Sequence, residues 1–467
     1  MKEYIIVALA IYVTTLLLFA YFLSKKSKSP TDFILGGRST NYWVTAIALQ
    51  ASDMSHWAFL AFPGIIYTFG LFRIWELIGV AIFMLLNWQF VAPKLRKQTE
   101  KFKALTLFSY FEKRFQDNSG IIRLTSALIA LLFFIFFISS GLVALGRVFE
   151  YTFGLDYTIG VLVSLSTIVA YTILGGFSGV AWCDFFQGIF AISMLLLVAI
   201  VGYIKVDGWQ TIAYAAKMKS VSLSILPSFK SILKIPMLLL IWGPGYFGQP
   251  QLLSFFMGIK DPKNIKYAKY TGIFCMALTM GASVFIGLIG LAFFHNGPNE
   301  LIYVGLTKSF FPPLIAGFVL CAIVAATLTT LDSYILVSGS VIAEDIEKKI
   351  LKKEACPKRM IWLSRIGSIF VSIIALLISL KSDKSIYYLI NYAWSGMGSA
   401  FGPLVLASLH SKKVNKYGAI SGILVGAITS AIWPYINTRI FPIIPGFMLS
   451  LIAIIIVSYA TNNKTKN

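Results

Sequence analysis

Apolar runs separated by short polar stretches repeat along the whole chain. A bilayer-crossing helix needs about 20 consecutive, mainly apolar residues, so each long run predicts one crossing. About thirteen such segments can be marked, at 3–24, 41–69, 73–93, 121–149, 157–177, 181–204, 234–257, 270–295, 312–343, 360–380, 386–409, 417–437 and 440–460. The division between 157–177 and 181–204 rests only on the short break Gly175-Gly-Phe-Ser-Gly179. Two runs carry interruptions. Segment 41–69 holds Ala51-Ser-Asp-Met-Ser-His-Trp57, followed by Pro63 and Gly64; segment 234–257 holds Trp242-Gly-Pro-Gly-Tyr-Phe-Gly-Gln-Pro250. Gly and Pro break a membrane helix where neighbouring groups rescue the freed backbone. The two interrupted runs open two comparable stretches, 41–204 and 234–409, and broken helices at matching places in two halves mark the site in repeat-built transporters.

Composition fixes the class. The chain of 467 residues is 58% hydrophobic and only 13% charged, with mean hydropathy +0.80. Soluble domains carry about 25% charged residues, so this is an all-α, polytopic membrane protein with no room for a sizeable soluble domain. The net charge of +21 belongs to topology rather than to a nucleic-acid face. Lys and Arg gather in alternate loops, near 25–40, 94–115, 259–270, 344–365, 411–416 and the tail. By the positive-inside rule this places the N-terminus outside and the C-terminus in the cytoplasm of a cell membrane. Segment 3–24 lacks a small-residue cleavage site and is expected to stay as a first crossing.

Enzyme chemistry finds no footing. No phosphate-binding GxxxxGK[ST] loop, HExxH or GxSxG is present, and His56, His295 and His410 are widely separated. The four cysteines show no CxxC or metal spacing, so neither a disulfide nor a metal centre is implied. Gly396-Met-Gly398 with Gly402 lies in an apolar run, where small residues serve close helix packing.

Intramembrane polar groups carry the functional reading. Ionisable residues at membrane depth are costly and normally face the protein interior or a solute path. Asp53 and His56 fall in the first interrupted run, Asp184 and Gln187 begin another, and Ala325-Ala-Thr-Leu-Thr-Thr-Leu-Asp-Ser333 concentrates hydroxyls around Asp332. Ala326, Thr329 and Thr330 share one helical face, and Thr329, Asp332 and Ser333 repeat that spacing one turn on. Two readings fit these residues alone. Their oxygens suit a partly dehydrated Na⁺, or the hydroxyls bond back to their own helix carbonyls. Asp53 likewise reads as part of a solute site or as a satisfied interior acid.

Longer motifs narrow the choice. Asp32-Phe-Ile-Leu-Gly-Gly-Arg-Ser39, Ala51-Ser-Asp-Met-Ser, Trp242-Gly-Pro-Gly-Tyr-Phe-Gly-Gln-Pro250 and Ala393-Trp-Ser-Gly-Met-Gly-Ser-Ala-Phe-Gly-Pro403 together resemble the sodium:solute symporter family, its proline carriers in particular. The resemblance runs from about residue 30 to 425. It implies a leucine-transporter-like core of five plus five helices in inverted repeat (41–204 and 234–409), one extra helix before it (3–24) and two after it (417–460), in a single transmembrane domain. It implies a Na⁺ site made by the carbonyls of Ala51, Met54 and Ala326 and the hydroxyls of Thr329 and Thr330. Asp53 would support that site or the helix break. Ser55, Trp57, Phe137, Trp242 and Tyr246 would line the substrate pocket, and Arg38 would serve coupling and gating.

Three positions depart from the proline carriers. His56 replaces a glycine, which brings either pH sensitivity and altered specificity or a histidine turned away and bonded to a neighbouring helix. Phe137 replaces a pocket tyrosine. Asp332 replaces a neutral residue; with Asp184, Thr329 and Ser333 it would hold a second cation, or the two acids would share a proton. The resulting expectation is a Na⁺-coupled symporter importing L-proline by alternating access, with no organic cofactor and with Na⁺, solute and lipid as its partners. Another small zwitterion or carboxylate, such as a different amino acid or pantothenate, is the alternative within transport. A passive channel fits less well, because unlike polar patches on separate helices favour a carrier.

Overall fold

The computed structural model describes residues 2–24, 29–295, 301–347, 356–381, 386–437 and 439–462. Among these residues the regular elements are helices. Ten helices are long and apolar enough to cross a bilayer, which makes the chain a multi-pass membrane protein.

The principal helices are α1 (Lys2–Ser24), α2 (Tyr42–Met54), α3 (Ala61–Phe69), α4 (Ile74–Leu86), α5 (Ile121–Val148), α6 (Tyr157–Lys205), α7 (Pro250–Gly258), α8 (Ile265–Phe293), α9 (Pro313–Ser340), α10 (Pro357–Lys381), α11 (Ile386–His410), α12 (Lys416–Ile436) and α13 (Ile443–Asn462). Local chemistry sets many of their ends. The Asn41 side chain accepts from the Trp43 N–H at the start of α2, and Asp156 and Asn415 cap the starts of α6 and α12 in the same way. Prolines open α7 and α9, where a missing N–H costs nothing.

The expected count of about thirteen crossings differs from the ten in three places. Segment 41–69 is divided into α2 and α3. Segment 386–409 forms α11, whose Tyr, Asn, Gly and Ser content lowers its hydropathy. Segments 157–177 and 181–204 run on as α6, a single assignment of 49 residues interrupted at Gly176 (φ 56°, ψ −161°). Only glycine adopts that backbone freely. The chain folds back there. Tyr171 hydrogen-bonds Asp332 and Asp184 faces the same carboxyl, yet on a straight helix the two would stand about 20 Å apart along the axis.

Pro63 does not mark the break in segment 41–69. The chain leaves the helix at Ser55 (φ 43°, ψ −172°), forms one tight turn over His56–Ala58 and resumes at Ala61. Proline cannot follow a continuous helix, because its ring clashes with the carbonyl four residues back. The irregular stretch therefore lies one turn upstream of Pro63. Segment 234–257 is interrupted as expected, by a tight turn over Gly243–Gly248 between the short helix Ile235–Leu240 and α7.

The helices order from periphery to centre. In the span containing α9, 83% of the most apolar window is buried, against 28% for α1 and α13. α9 is thus the pillar of the bundle, and α1 and α13 turn apolar side chains such as Phe22 and Ile455 outward, as lipid requires. Contacts also sort the loops onto two faces. On one, Thr40 pairs with Gly258 and Lys260, and Thr106 bonds Asp345. On the other, Leu71 bonds Ser222, Lys219 bonds Phe294, and Lys308 bonds Tyr151.

Candidate functional site

Two helix breaks meet at the middle of the bundle. Asp53, in the last turn of α2, accepts from the Tyr246 hydroxyl, which lies 2.9 and 2.8 Å from its two carboxylate oxygens. Tyr246 lies in the Gly243–Gly248 turn, so this pair ties one break to the other. The Tyr246 carbonyl in turn accepts from Asn87 Nδ2 at 3.0 Å. Glycines let α11 approach the second break closely. A Cβ on Gly398 would stand 2.7 Å from the Gly245 Cα, and one on Gly248 would stand 2.5 Å from the Gly402 N. This is the close packing expected of Gly398 and Gly402.

Beside this junction, oxygens from α2 and α9 converge. The Thr329 hydroxyl lies 3.0 Å from both the Ala51 and Ala326 carbonyl oxygens, and the Thr330 hydroxyl lies 3.1 Å from the Ala326 oxygen. All four residues are buried. The hydroxyls bond back to their own helix, and Thr329 also reaches across to α2. Two carbonyls and two hydroxyls at this spacing form a compact set of neutral oxygens, the donor type that hard monovalent cations take. Met54 is buried at the same end of α2, with its sulfur 3.7 Å from Thr279 Oγ1.

A second polar group lies one turn further along α9. Tyr171 donates to Asp332 Oδ2 at 2.7 Å, and Asp184 faces Asp332 within hydrogen-bond reach. Both acids are fully buried; among the described residues, both Asp184 oxygens and Asp332 Oδ1 lack a donor. Two such carboxyl groups require one positive charge between them, a cation or a proton. Ser333 Oγ, at 3.5 Å from the Thr329 carbonyl, joins this group to the Thr329 turn. Gly188, one turn beyond Asp184, packs on Ala51; a Cβ there would stand 2.8 Å from the alanine Cβ.

Of the expected pocket residues, Ser55, Trp57, Trp242 and Tyr246 lie at or beside the junction, and Phe137 lies against Tyr334. Trp57 is half-buried, donates to the Asp53 carbonyl at 3.0 Å and meets Phe62 edge-on. Ser55 Oγ bonds His56 Nδ1 at 3.0 Å, while the buried His56 Nε2 has no partner among the described residues. Among the described residues, His56 thus makes its one side-chain hydrogen bond to its neighbour Ser55 rather than to another helix. The Trp242 carbonyl accepts from the Trp394 indole at 3.0 Å, and the Trp394 ring stands edge-on to Tyr246. Phe137 stacks on Tyr334, with ring centroids 4.1 Å apart.

Arg38 stands apart, at the face where Thr40 meets Gly258. Its guanidinium donates to the carbonyls of Met257 (2.8 Å), Thr99 (3.2 Å) and Ala104 (2.8 Å). It thus clamps the chain entering α2 to the end of α7 and to the loop after Lys101. Burial lowers this guanidinium to about 10, Arg96 adds to the shift and Glu100 opposes it.

Several residues packed next to the junction carried no role in the sequence reading. Trp394 and Gln249 stood in the quoted motifs but carried no role of their own. Tyr334 was findable, lying one helical turn beyond Thr330. Asn87 stands two residues before Gln89 in an apolar run, and nothing local singles it out.

Residues 33–426 match the model of the sodium:solute symporter family. The chain is 38% identical over 473 residues to an osmoregulated proline transporter of Bacillus subtilis, covering 99% of this chain and 96% of that one. It is 36% identical over 465 residues to a sodium/proline symporter of Salmonella typhimurium, covering 97% and 92%. Among solved structures, a Na⁺-coupled sialic acid symporter in a substrate-bound outward-open state superposes with a TM-score of 0.84 at 21% identity, covering 98% of both chains. A nucleobase-cation-symport transporter in a closed conformation superposes at 0.60 with 13% identity, covering 94% and 96%. The chain has the leucine-transporter type of fold that these carriers share.

Proposed function

The chain belongs to the sodium:solute symporter family, and from that premise we propose that it imports L-proline by Na⁺-coupled alternating access. The observation that carries this reading is the convergence of the Ala51 and Ala326 carbonyls with the Thr329 and Thr330 hydroxyls beside the broken helix. Na⁺ bound there, with the Met54 carbonyl completing the set, holds α2 against α9. That orders the break at Ser55 and, through Asp53 and Tyr246, the break before α7. The solute carboxylate then meets free backbone N–H groups at a broken-helix end. The pyrrolidine ring packs against Trp57 and Trp242, with its ammonium over an aromatic face. Residues 41–204 and 234–409 act as the two repeats that rock against each other. The Asp184–Asp332 pair, with Ser333, holds a second positive charge.

We assign the face bearing Arg38, Thr106 and Gly258 to the cytoplasm of the cell membrane, since the Lys- and Arg-rich loops gather there. The N-terminus then lies outside and the C-terminus inside. Coupling is tested by calorimetric titration of the purified carrier with L-proline, with and without Na⁺. Because linkage is reciprocal, Na⁺ lowers the Kd for proline and proline lowers the Kd for Na⁺ by the same factor. Equal proline affinity with and without Na⁺ contradicts the reading.

A further inference from the structure

A polar layer lies between the Asp53–Tyr246 junction and the cytoplasmic face. Gln251 Nε2 donates to the Tyr334 hydroxyl at 2.6 Å, and that hydroxyl lies 3.4 Å from Gln249 Oε1. Gln249 Nε2 donates to the Trp394 carbonyl at 3.2 Å. The Tyr334 ring lies nearly parallel to Phe137, at 23°. Gln249, Gln251 and Tyr334 are 0%, 2% and 0% exposed, yet Gln251 Oε1 has no donor among the described residues. An unsatisfied carbonyl oxygen at this depth costs about 1–3 kcal/mol, so its retention calls for a use.

Position supplies one. Both α7 and α9 run toward the cytoplasmic face, since Gly258 meets Thr40 and Asp345, just beyond α9, meets Thr106. Gln249 and Gln251 follow Tyr246 in that direction, and Tyr334 follows Thr330 by one turn. Beyond the layer lies a cavity of about 20 Å³, lined by Pro250, Ser254, Val337, Ser340, Leu105 and Phe108, with room for about one water molecule. The loop that closes it is pinned twice. Arg38 holds the Ala104 carbonyl, and Asp345, itself bonded to Arg123, holds Thr106. A solute leaving the junction for the cytoplasm therefore meets the layer first, the cavity second and the pinned loop last.

We propose that Tyr334 and Gln251, braced by Gln249 and Phe137, form the release gate of the solute path. When the Tyr334–Gln251 bond opens, Gln251 Oε1 and the freed amide offer an acceptor and a donor to the ammonium and carboxylate of a small zwitterion. The gate rests on the symport reading above. Tyr334 and Gln251 act after solute binding, so loss of the bond between them changes release without changing central-site affinity.

The test uses the full chain reconstituted in proteoliposomes as wild type, Tyr334→Phe and Gln251→Leu. Tyr334→Phe keeps the ring stacked on Phe137 and removes only the hydroxyl, so it remains decisive even where Gln251→Leu does not fold. Losing one hydrogen bond of typical net worth corresponds to about fivefold. Each variant should speed proline efflux into Na⁺-free medium by about that factor and lower steady-state accumulation, while the Na⁺-dependent Kd for proline stays within about twofold. A Kd weakened by about tenfold with unchanged efflux overturns the gate, because it places these residues on the centrally bound solute. Unchanged efflux, accumulation and Kd also overturn it, because the network is then packing alone. A wild type that accumulates no proline is a separate result, which defeats the symport reading and the gate with it.

Discussion

The Thr329 hydroxyl lies 3.0 Å from the Ala51 carbonyl oxygen, across the contact between α9 and α2. The central pillar of the bundle therefore touches the helix that breaks, at one oxygen-rich point. A cation placed there would add its bonds to the one hydrogen bond and the packing that join the two helices. The first prediction follows from this. Thr329→Val keeps the volume but removes the oxygen, and hydrogen bonds to charged groups are worth about 1.5–3 kcal/mol. The Na⁺ concentration needed for half-maximal proline binding should rise by about tenfold or more. Thr330→Val should act in the same direction, and a Na⁺ titration of proline binding checks both.

Tyr246→Phe removes the side-chain donor that the Asp53 carboxyl has among the described residues. Leaving a buried acid unsatisfied costs about 1–3 kcal/mol or more. The variant should lose thermal stability and transport together. Asp53→Asn keeps an acceptor for the tyrosine and should be milder in stability. Thermal unfolding in detergent, beside uptake, separates the two.

Arg38→Ala cuts the clamp among Met257, Thr99 and Ala104. The cytoplasmic face should then open more readily, so accumulation against a gradient falls while proline binding persists. The pH sign is defined. Burial disfavours the charged form and lowers it to about 10, below the ordinary guanidinium range. Above that pH the unfolded chain binds the extra proton, so this group's contribution to stability rises with pH there. The clamp itself needs the charged form and is present at neutral pH. A neutral-range pH dependence of uptake that vanishes in Arg38→Ala would contradict this assignment.

Cys356 is exposed, whereas Cys183, Cys275 and Cys321 are buried. Cys356 lies in the basic stretch assigned to the cytoplasm. A membrane-impermeant maleimide should label it in inside-out vesicles and not in intact cells. Labelling from outside would invert the topology.

Much of this was legible because membrane folding exposes its rules in sequence. The apolar runs gave the class, and the glycines and prolines around Tyr246 marked the second break. The first break was harder to place. Pro63 drew attention, but its steric demand falls one turn upstream, at Phe59, at the end of an irregular stretch that begins at Ser55. The division of the 49-residue α6 was legible in Gly175-Gly-Phe-Ser-Gly179, and a single glycine conformation at Gly176 does the work of a loop there. At the site, hydroxyl periodicity on α9 pointed to Thr329 and Thr330. Nothing local could show that Tyr246 reaches Asp53 or that Tyr334 covers Phe137, since these pairs are separated by 193 residues in one case and joined only by helix packing in the other.

The most direct measurement is radiolabelled L-proline uptake into proteoliposomes under an inward Na⁺ gradient, with K⁺ and H⁺ gradients as controls and a Thr329→Ala, Thr330→Ala variant in parallel. The account predicts accumulation that requires Na⁺ and is lost in the variant while the protein remains folded. Accumulation that proceeds equally without Na⁺, or survives in the variant at unchanged Na⁺ dependence, would contradict it.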